Sequence, residues 1–171
     1  LHSFPTRRSS DLSMGRFGGG STITQQLAKN AFLTQEQTVT RKAKEFFLSL
    51  ELTKKYSKQE ILTMYLNNAY FGNGVWGVED ASQKYFGTSA ANLTVDEAAT
   101  LAGMLKGPEI YNPIDNIQNA TNRRNTVLAN MVDDEKLSQA DADSAAGVDM
   151  ASRLVDTYQG TGDDYRYPSY F

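Results

Sequence analysis

Two short patterns constrain the fold of this chain most strongly: Ser57 with Glu60, and Thr94 with Glu97. In each pattern a hydroxyl residue stands three positions before a glutamate, at the start of a stretch with recurring apolar residues. Such a pair forms a capping box, in which the hydroxyl accepts a hydrogen bond from the first turn of a helix and the glutamate accepts one from the capping residue. The two boxes therefore predict helix starts at both places.

Helix signals continue on both sides of these boxes. Ser21 is expected to cap a first helix, and apolar spacing predicts a second helix over residues 39–56. Gly87 is the expected end of a short helix, and a longer helix is predicted over residues 117–131. The predicted fold class is therefore mainly α.

Composition narrows the chemistry that the chain can perform. The chain has 171 residues, of which 40% are hydrophobic and 22% are charged, as expected for one soluble domain with an apolar core. It contains no cysteine, and its one histidine is His2 near the N-terminus, so thiol chemistry, a thiolate zinc site and a Ser-His-Asp triad inside the fold are excluded. Any acid–base catalysis must then use carboxylates, lysine or tyrosine.

The charges are unevenly distributed along the chain. The first 60 residues contain ten Lys and Arg against five Asp and Glu, whereas the rest contains seven against fifteen. This asymmetry predicts an anionic ligand for the first part, and nucleic acid, a phosphorylated ligand and a membrane surface all fit it. The longest uncharged stretch, residues 61–78, has three Asn and three Gly and is too polar to span a bilayer.

Periodicity and composition divide the chain into three segments. Residues 1–15 show no helical or strand period and resemble translated vector or adapter sequence, so we expect a non-native or disordered leader. Residues 16–146 carry the helix signals and form the predicted domain. Residues 147–171 are expected to be a linker toward a further domain that is missing from this chain.

The first candidate site lies around the start of the first helix. Glycines 18–20 precede Ser21, and the free N–H groups of a helix start favour an anion such as a phosphate. Ser21, Gln25 and Lys29 stand four positions apart and share one helix face. A flexible loop followed by a helix cap explains the same residues.

The second candidate site is the cationic turn that contains Arg41, Lys42, Lys44 and Glu45. As a surface feature it is an ion pair from Arg41 to Glu45, in the weaker orientation for a helix. As a functional feature, the three cations hold a pyrophosphate while Glu45 works beside the reacting sugar or hydroxyl. The residues alone leave both interpretations open.

The third candidate is an aromatic region after the Ser57 box. Its apolar spacing assigns four residues to the core: Ile61, Leu62, Tyr65 and Leu66. Three aromatic residues follow and can form either a sugar-stacking platform or part of the packing, which we favour: Tyr70, Phe71 and Trp76.

In order, these blocks resemble the glycosyltransferase domain of class A penicillin-binding proteins, which is glycosyltransferase family 51. The resembling segments are GGSTITQQLAKN at 19–30, RKAKE at 41–45, a block from YSKQE to KYFG at 56–87, and EAATLAGMLKGPEIYNP at 97–113. The resemblance runs through residues 18–131. Residues 167–171 further resemble the segment that enters the transpeptidase domain of these proteins, so the resemblance implies that the missing further domain is a transpeptidase.

The resemblance implies a mainly helical, lysozyme-like domain that polymerises lipid II into glycan strands during cell wall synthesis and releases lipid pyrophosphate. The resemblance also implies that the domain acts at the extracytoplasmic face of the cell membrane. The implied partners are lipid II, the growing glycan strand, the membrane surface and other cell-wall synthesis proteins, with no nucleic acid. The family is commonly associated with a divalent cation, Mg or Mn, but no residue of this chain is assigned as a metal ligand.

The resemblance also implies roles for individual residues. Glu45 is the implied catalytic acid–base residue. The implied substrate-binding residues lie in the first two motifs: Ser21, Thr22, Gln25, Gln26, Lys29, Arg41, Lys42 and Lys44.

Two departures from the family pattern limit these expectations. The first motif, which carries the principal catalytic glutamate, has no counterpart, and Gln37 stands where many relatives have a basic residue. We therefore expect an N-terminally truncated domain that is inactive by itself. The alternatives are a non-catalytic helical interaction module, which Glu45→Gln would leave unchanged, and a lytic transglycosylase, which has no pyrophosphate for the cations to bind.

Overall fold

A computed structural model describes residues 21–33 and 39–155 of the chain. The predicted leader, the glycines before Ser21, Gln37 and the part of the predicted linker after residue 155 lie outside these residues. Within the described ranges the chain forms seven α-helices and two short 3-10 helices, and no strand. The α-helices are α1 (Ile23–Phe32), α2 (Val39–Lys55), α3 (Lys58–Asn68), α4 (Val78–Phe86), α5 (Val95–Met104), α6 (Ile117–Asp133) and α7 (Gln139–Ala146); the 3-10 helices are Ala90–Asn92 and Met150–Arg153.

The helix starts follow the predicted capping boxes. The carboxylate of Glu60 accepts a hydrogen bond from the Ser57 N–H at 2.7 Å, and that of Glu97 accepts one from the Thr94 N–H at 2.9 Å. Both predictions are therefore confirmed.

The predicted cap of α1 is wrong by one residue, because Thr22 and not Ser21 caps this helix. The Thr22 hydroxyl accepts from the Gln25 N–H at 3.1 Å, and the Gln25 amide oxygen accepts from the Thr22 N–H at 3.0 Å. The physical reason is that Thr22 has a glutamine three positions later, whose side chain can reach back, whereas Ser21 has Thr24.

Three clusters of apolar side chains hold the helices together. One joins α1, α2 and α3 through Leu27, Ala28, Leu52 and Ile61. A central cluster joins α3, α4 and α5, and a third joins α5, α6 and α7. The buried members of the central cluster are Tyr65, Ala69, Phe71, Val75, Ala81, Tyr85, Phe86, Leu101 and Met104. The buried members of the third cluster are Ala99, Leu128, Ala142 and Ala145. Burial of this apolar surface is the main force that assembles the helices.

The small residues of α5 allow α6 to approach closely. A Cβ atom added at Gly103 would lie 2.9 Å from Arg123 Cγ, which is closer than side chains pack. The core assignment of Leu62 is wrong, because 40% of this residue is exposed. Ile61 and Tyr65, one helical turn apart, take the buried face of α3, and Leu62 lies beside that face.

Residues 147–155, which the sequence assigns to the linker, lie against the helical domain. Met150 is buried, and the Val155 N–H donates to the Tyr85 carbonyl at 3.1 Å. The Arg153 Nε atom lies 3.1 Å from the Asp96 carboxylate. Among the described residues, no helix has the length and apolar character needed to cross a bilayer.

Candidate active site

The cationic turn lies in the first half of α2 and surrounds a buried carboxylate. Glu45 is 1% exposed. Lys42 Nζ lies 2.8 Å from its Oε2 atom, and Arg41 Nε lies 3.1 Å from its Oε1 atom. Because the acid is buried, the interpretation of this turn as a surface ion pair does not describe it.

Lys42 also connects α2 to the chain just before α1. Its Nζ atom donates to the Ser21 hydroxyl at 2.8 Å as well as to Glu45 at 2.8 Å. An ammonium has three N–H donors, and the Lys42 side chain remains 55% exposed. The site therefore presents a partly exposed cation whose position is set by Glu45 on α2 and by Ser21 just before α1.

The charges around Glu45 determine its protonation state. Burial acts to raise the pKa of this carboxyl group, but the hydrogen bond from Lys42 and the charges of Lys42, Arg41 and Lys29 together outweigh burial and lower the pKa below its ordinary value. Glu45 is therefore ionised at neutral pH and can accept a proton but has none to give. Arg41 interacts with the buried Oε1 atom as an ion pair, and no described residue donates a hydrogen bond to this atom.

The structure brings together only part of the predicted site. Ser21, Arg41, Lys42 and Glu45 form one cluster, and Lys29 acts on it through its charge. The remaining predicted residues have other contacts: Thr22 and Gln25 bond to each other in the α1 cap, Gln26 bonds to Tyr65 and to the Ser21 carbonyl, and Lys44 is exposed on α2.

Tyr65 is the residue at this site that the sequence reasoning assigned only to the core. Its hydroxyl donates to the Gln26 amide oxygen at 3.2 Å, across the interface between α3 and α1. The residue type itself indicates such a bond, because a buried tyrosine hydroxyl needs a polar partner, whereas a leucine or phenylalanine at the same position needs none.

The aromatic region forms a tight hairpin after α3. Tyr70 and Trp76 pair across it, with ring centroids 4.8 Å apart. Phe71 is buried, so the packing interpretation holds for it, whereas Trp76 is 40% exposed.

The described residues form no metal site made of protein ligands alone. Among them no group of three His, Cys, Asp or Glu lies close enough together to hold an ion, and Glu45 is held by two cationic side chains. The association with Mg or Mn stays a prediction.

A helical domain that holds an ionised carboxylate and several cations at one site is suited to group transfer with an anionic leaving group. The chain belongs to the transglycosylase family, whose model matches residues 8–132. The predicted family and the mainly α, lysozyme-like fold are thereby confirmed.

Individual relatives agree with this membership. The chain is 68% identical over 160 residues to penicillin-binding protein 2a of Streptococcus pneumoniae, covering 94% of this chain and 22% of that protein. It is 48% identical over 142 residues to penicillin-binding protein 1A of Vibrio cholerae, covering 83% of this chain and 17% of that protein. The crystal structure of penicillin-binding protein 1A from Haemophilus influenzae is similar with a TM-score of 0.52 and 30% identity, over 74% of this chain and 16% of that one. The chain thus spans about a fifth of the length of the curated relatives it matches.

Proposed function

We propose that this chain is a peptidoglycan glycosyltransferase domain, which polymerises lipid II into glycan strands and releases lipid pyrophosphate. The observation that carries the proposal is the buried, ionised Glu45 beside Lys42 and Arg41, at the point where the Ser21 hydroxyl meets α2. Membership of the transglycosylase family supports the same reaction class.

The reaction makes two electrostatic demands. The acceptor sugar hydroxyl attacks the anomeric carbon of the donor, the bond from that carbon to the pyrophosphate oxygen breaks, and the hydroxyl proton goes to a base. Negative charge therefore develops on the leaving pyrophosphate while a carboxylate takes up the proton. Both a base and cations must be held near one another.

The described residues meet part of these demands. Glu45 is ionised and holds the Lys42 ammonium, so we assign it the role of the second catalytic carboxylate, and we assign uptake of the hydroxyl proton to the principal glutamate of the first motif, which the upstream segment carries. Lys42 uses two of its N–H donors on Ser21 and Glu45, so a third donor remains for a phosphate oxygen. Lys29 and Lys44, which are exposed, extend the positive surface toward a large anion.

The cations separate this proposal from the two alternatives. A lytic transglycosylase cleaves glycan without an anionic leaving group, so it has no use for the cations around Glu45. In a non-catalytic module the buried Glu45 and its cations would serve stability alone, so Glu45→Gln would change the free energy of unfolding but no turnover. The geometry therefore favours polymerisation.

The substrate also suggests where the domain works. The lipid chain of lipid II is held in a bilayer, so the site has to act at a membrane surface, which we place at the extracytoplasmic face of the cell membrane. The exposed cations of α1 and α2 suit both the pyrophosphate and an anionic lipid surface. Other cell-wall synthesis proteins are the expected partners.

Turnover of labelled lipid II tests the proposal. The chain is assayed alone and joined to the upstream segment of the pneumococcal relative, and glycan strands are resolved on a gel. Glu45→Gln is compared with Glu51→Gln, because Glu51 lies on the same helix but forms an exposed pair with Lys54. We expect no glycan strands from the chain alone and glycan strands from the joined parent and joined Glu51→Gln proteins. In the joined protein, Glu45→Gln should lower the rate by roughly 10²–10⁴-fold.

Two results would contradict the proposal. Equal rates for both variants would remove Glu45 from the mechanism. Absence of glycan strands from every protein, with the helical circular dichroism spectrum intact, would show that the domain is not a polymerase.

A further inference from the structure

Tyr65 reaches from the core toward the candidate active site. It is buried on α3, and its hydroxyl donates to the Gln26 amide oxygen at 3.2 Å, although the two residues are 39 positions apart. This bond fixes which way the Gln26 amide faces, because a tyrosine hydroxyl that donates needs the oxygen and not the nitrogen.

The orientation of the Gln26 amide allows a second hydrogen bond, just before the start of α1. With its oxygen held by Tyr65, its Nε2 atom donates to the Ser21 carbonyl at 3.2 Å. Ser21 precedes the cap and lies outside the helix, so the helical hydrogen bonds of α1 do not by themselves hold it. The Gln26 amide supplies that restraint.

The Ser21 side chain then meets the cation of the site. Its hydroxyl accepts from Lys42 Nζ at 2.8 Å, and the same nitrogen lies 2.8 Å from Glu45. Three hydrogen bonds therefore connect the buried Tyr65 hydroxyl to the Lys42 ammonium by way of Gln26 and Ser21.

We propose that Tyr65 is a positioning residue, whose hydroxyl orients Gln26 and thereby holds Ser21 where it fixes the Lys42 ammonium beside Glu45. The packing of the Tyr65 ring does not need this hydroxyl, since a phenylalanine would fill the same space. The hydrogen-bonded connection stands on the structure alone. Its consequence for lipid II turnover rests on the proposed function.

The test compares two tyrosine-to-phenylalanine variants. Tyr65→Phe removes the hydroxyl that bonds to Gln26. Tyr85→Phe is the matched control, because Tyr85 lies in the same central cluster and its buried hydroxyl donates to the Phe71 carbonyl at 2.7 Å, away from α1. Hydrogen exchange of the backbone over residues 22–27 is the first measurement. The second is kcat/KM for lipid II, measured on the chain joined to the upstream segment.

We expect Tyr65→Phe to speed exchange over residues 22–27 and to lower kcat/KM, each by roughly three- to tenfold, the effect of losing one hydrogen bond. Tyr85→Phe should change neither quantity, although it also loses a buried hydrogen bond. Gln26→Ala should reproduce the Tyr65→Phe effect, and the double variant should be no worse than Gln26→Ala, because the two side chains act in series.

Several outcomes would overturn the inference. They are exchange in Tyr65→Phe equal to that of the parent, equal effects of Tyr65→Phe and Tyr85→Phe over residues 22–27, additive effects of Tyr65→Phe and Gln26→Ala, and a fall in kcat/KM without faster exchange. If the parent chain joined to the upstream segment makes no glycan, the proposed function fails, yet the exchange measurements still decide whether Tyr65 holds the start of α1.

Discussion

Arg41 Nε lies 3.1 Å from Glu45 Oε1, one turn earlier on the same helix. On an exposed helix this order of base and acid is the weaker one, and such a pair contributes little to stability. Here the acid is buried, so its charge must be balanced inside the fold. The pair is therefore part of how α2 tolerates an ionised carboxylate at the site.

The first prediction concerns the stability of the fold at different pH values. Because folding lowers the pKa of Glu45 below its ordinary value of 4.5, the ionised carboxylate stabilises the folded state above about pH 4.5, and this contribution is lost as the pH falls through the lower, folded-state pKa. We expect Glu45→Gln to lower the free energy of unfolding at pH 7 by about 1–3 kcal/mol. Urea unfolding should show this difference shrinking below pH 4.5.

Glu51→Gln serves as the control for this prediction, since both partners of its ion pair are exposed. Its free energy of unfolding should stay within about 0.5 kcal/mol of the parent value at neutral pH. A difference between Glu45→Gln and the parent that persists unchanged to pH 3 would mean that the Glu45 charge does not stabilise the fold.

The second prediction concerns the C-terminal end of α7. Arg124 is buried on α6, and its guanidinium donates to the carbonyls of Ala146 at 2.7 Å and Val148 at 2.9 Å. Arg124→Lys keeps the charge but cannot make both bonds, so we expect the free energy of unfolding to fall by about 2–4 kcal/mol in urea titrations. Thr126→Ala on the exposed side of α6 should change it by less than about 0.5 kcal/mol. Equal stability of the two variants would contradict this role of Arg124.

Local rules predicted much of the helical fold from the sequence. The Ser57 and Thr94 boxes, the helix end at Gly87 and the bounds of α2 all follow from capping and apolar spacing. The position of Leu62 could not be predicted, because spacing marks an apolar residue but does not say which side of α3 meets a neighbour.

The candidate site was predicted only where its residues are close in sequence. Arg41, Lys42 and Glu45 share one motif, and α2 brings them together as expected. The bonds that link Lys42 to Ser21 and Tyr65 to Gln26 depend on how α1 packs on α2 and α3, over separations of 21 and 39 residues. No local rule of capping or spacing gives that packing.

The third prediction compares two glycines with positive φ in the hairpin after α3. Gly77 has a φ of +87°, and a Cβ atom there would lie 2.9 Å from the Asn67 carbonyl oxygen; Gly74 has a φ of +73° but has nothing within 4 Å of such an atom. Gly74→Ala should therefore cost only the unfavourable backbone conformation, about 1 kcal/mol, and Gly77→Ala at least about 2 kcal/mol. Thermal unfolding of both variants measures the difference, and equal losses would show that the hairpin relaxes without cost.

The fourth prediction concerns the segment after α7, which Arg153 ties to α5. Its Nε atom lies 3.1 Å from Asp96 Oδ2, while the other oxygen of Asp96 accepts from the Thr94 hydroxyl at 2.7 Å. Arg153 is partly exposed, so the pair should contribute about 0.2–1 kcal/mol. We expect Arg153→Met to speed hydrogen exchange of the Val155 amide, which donates to Tyr85, by about two- to fivefold at low salt.

The dependence on charge distinguishes this ion pair from simple packing. Arg153→Lys keeps the positive charge and should lie between the parent and Arg153→Met. At 1 M NaCl screening should bring all three proteins closer together, because the Arg153 side chain is open to solvent and the Debye length falls to about 3 Å. Exchange of Val155 that is the same in Arg153→Met and the parent at low salt would mean that Met150 and the Val155 hydrogen bond hold this segment without the ion pair.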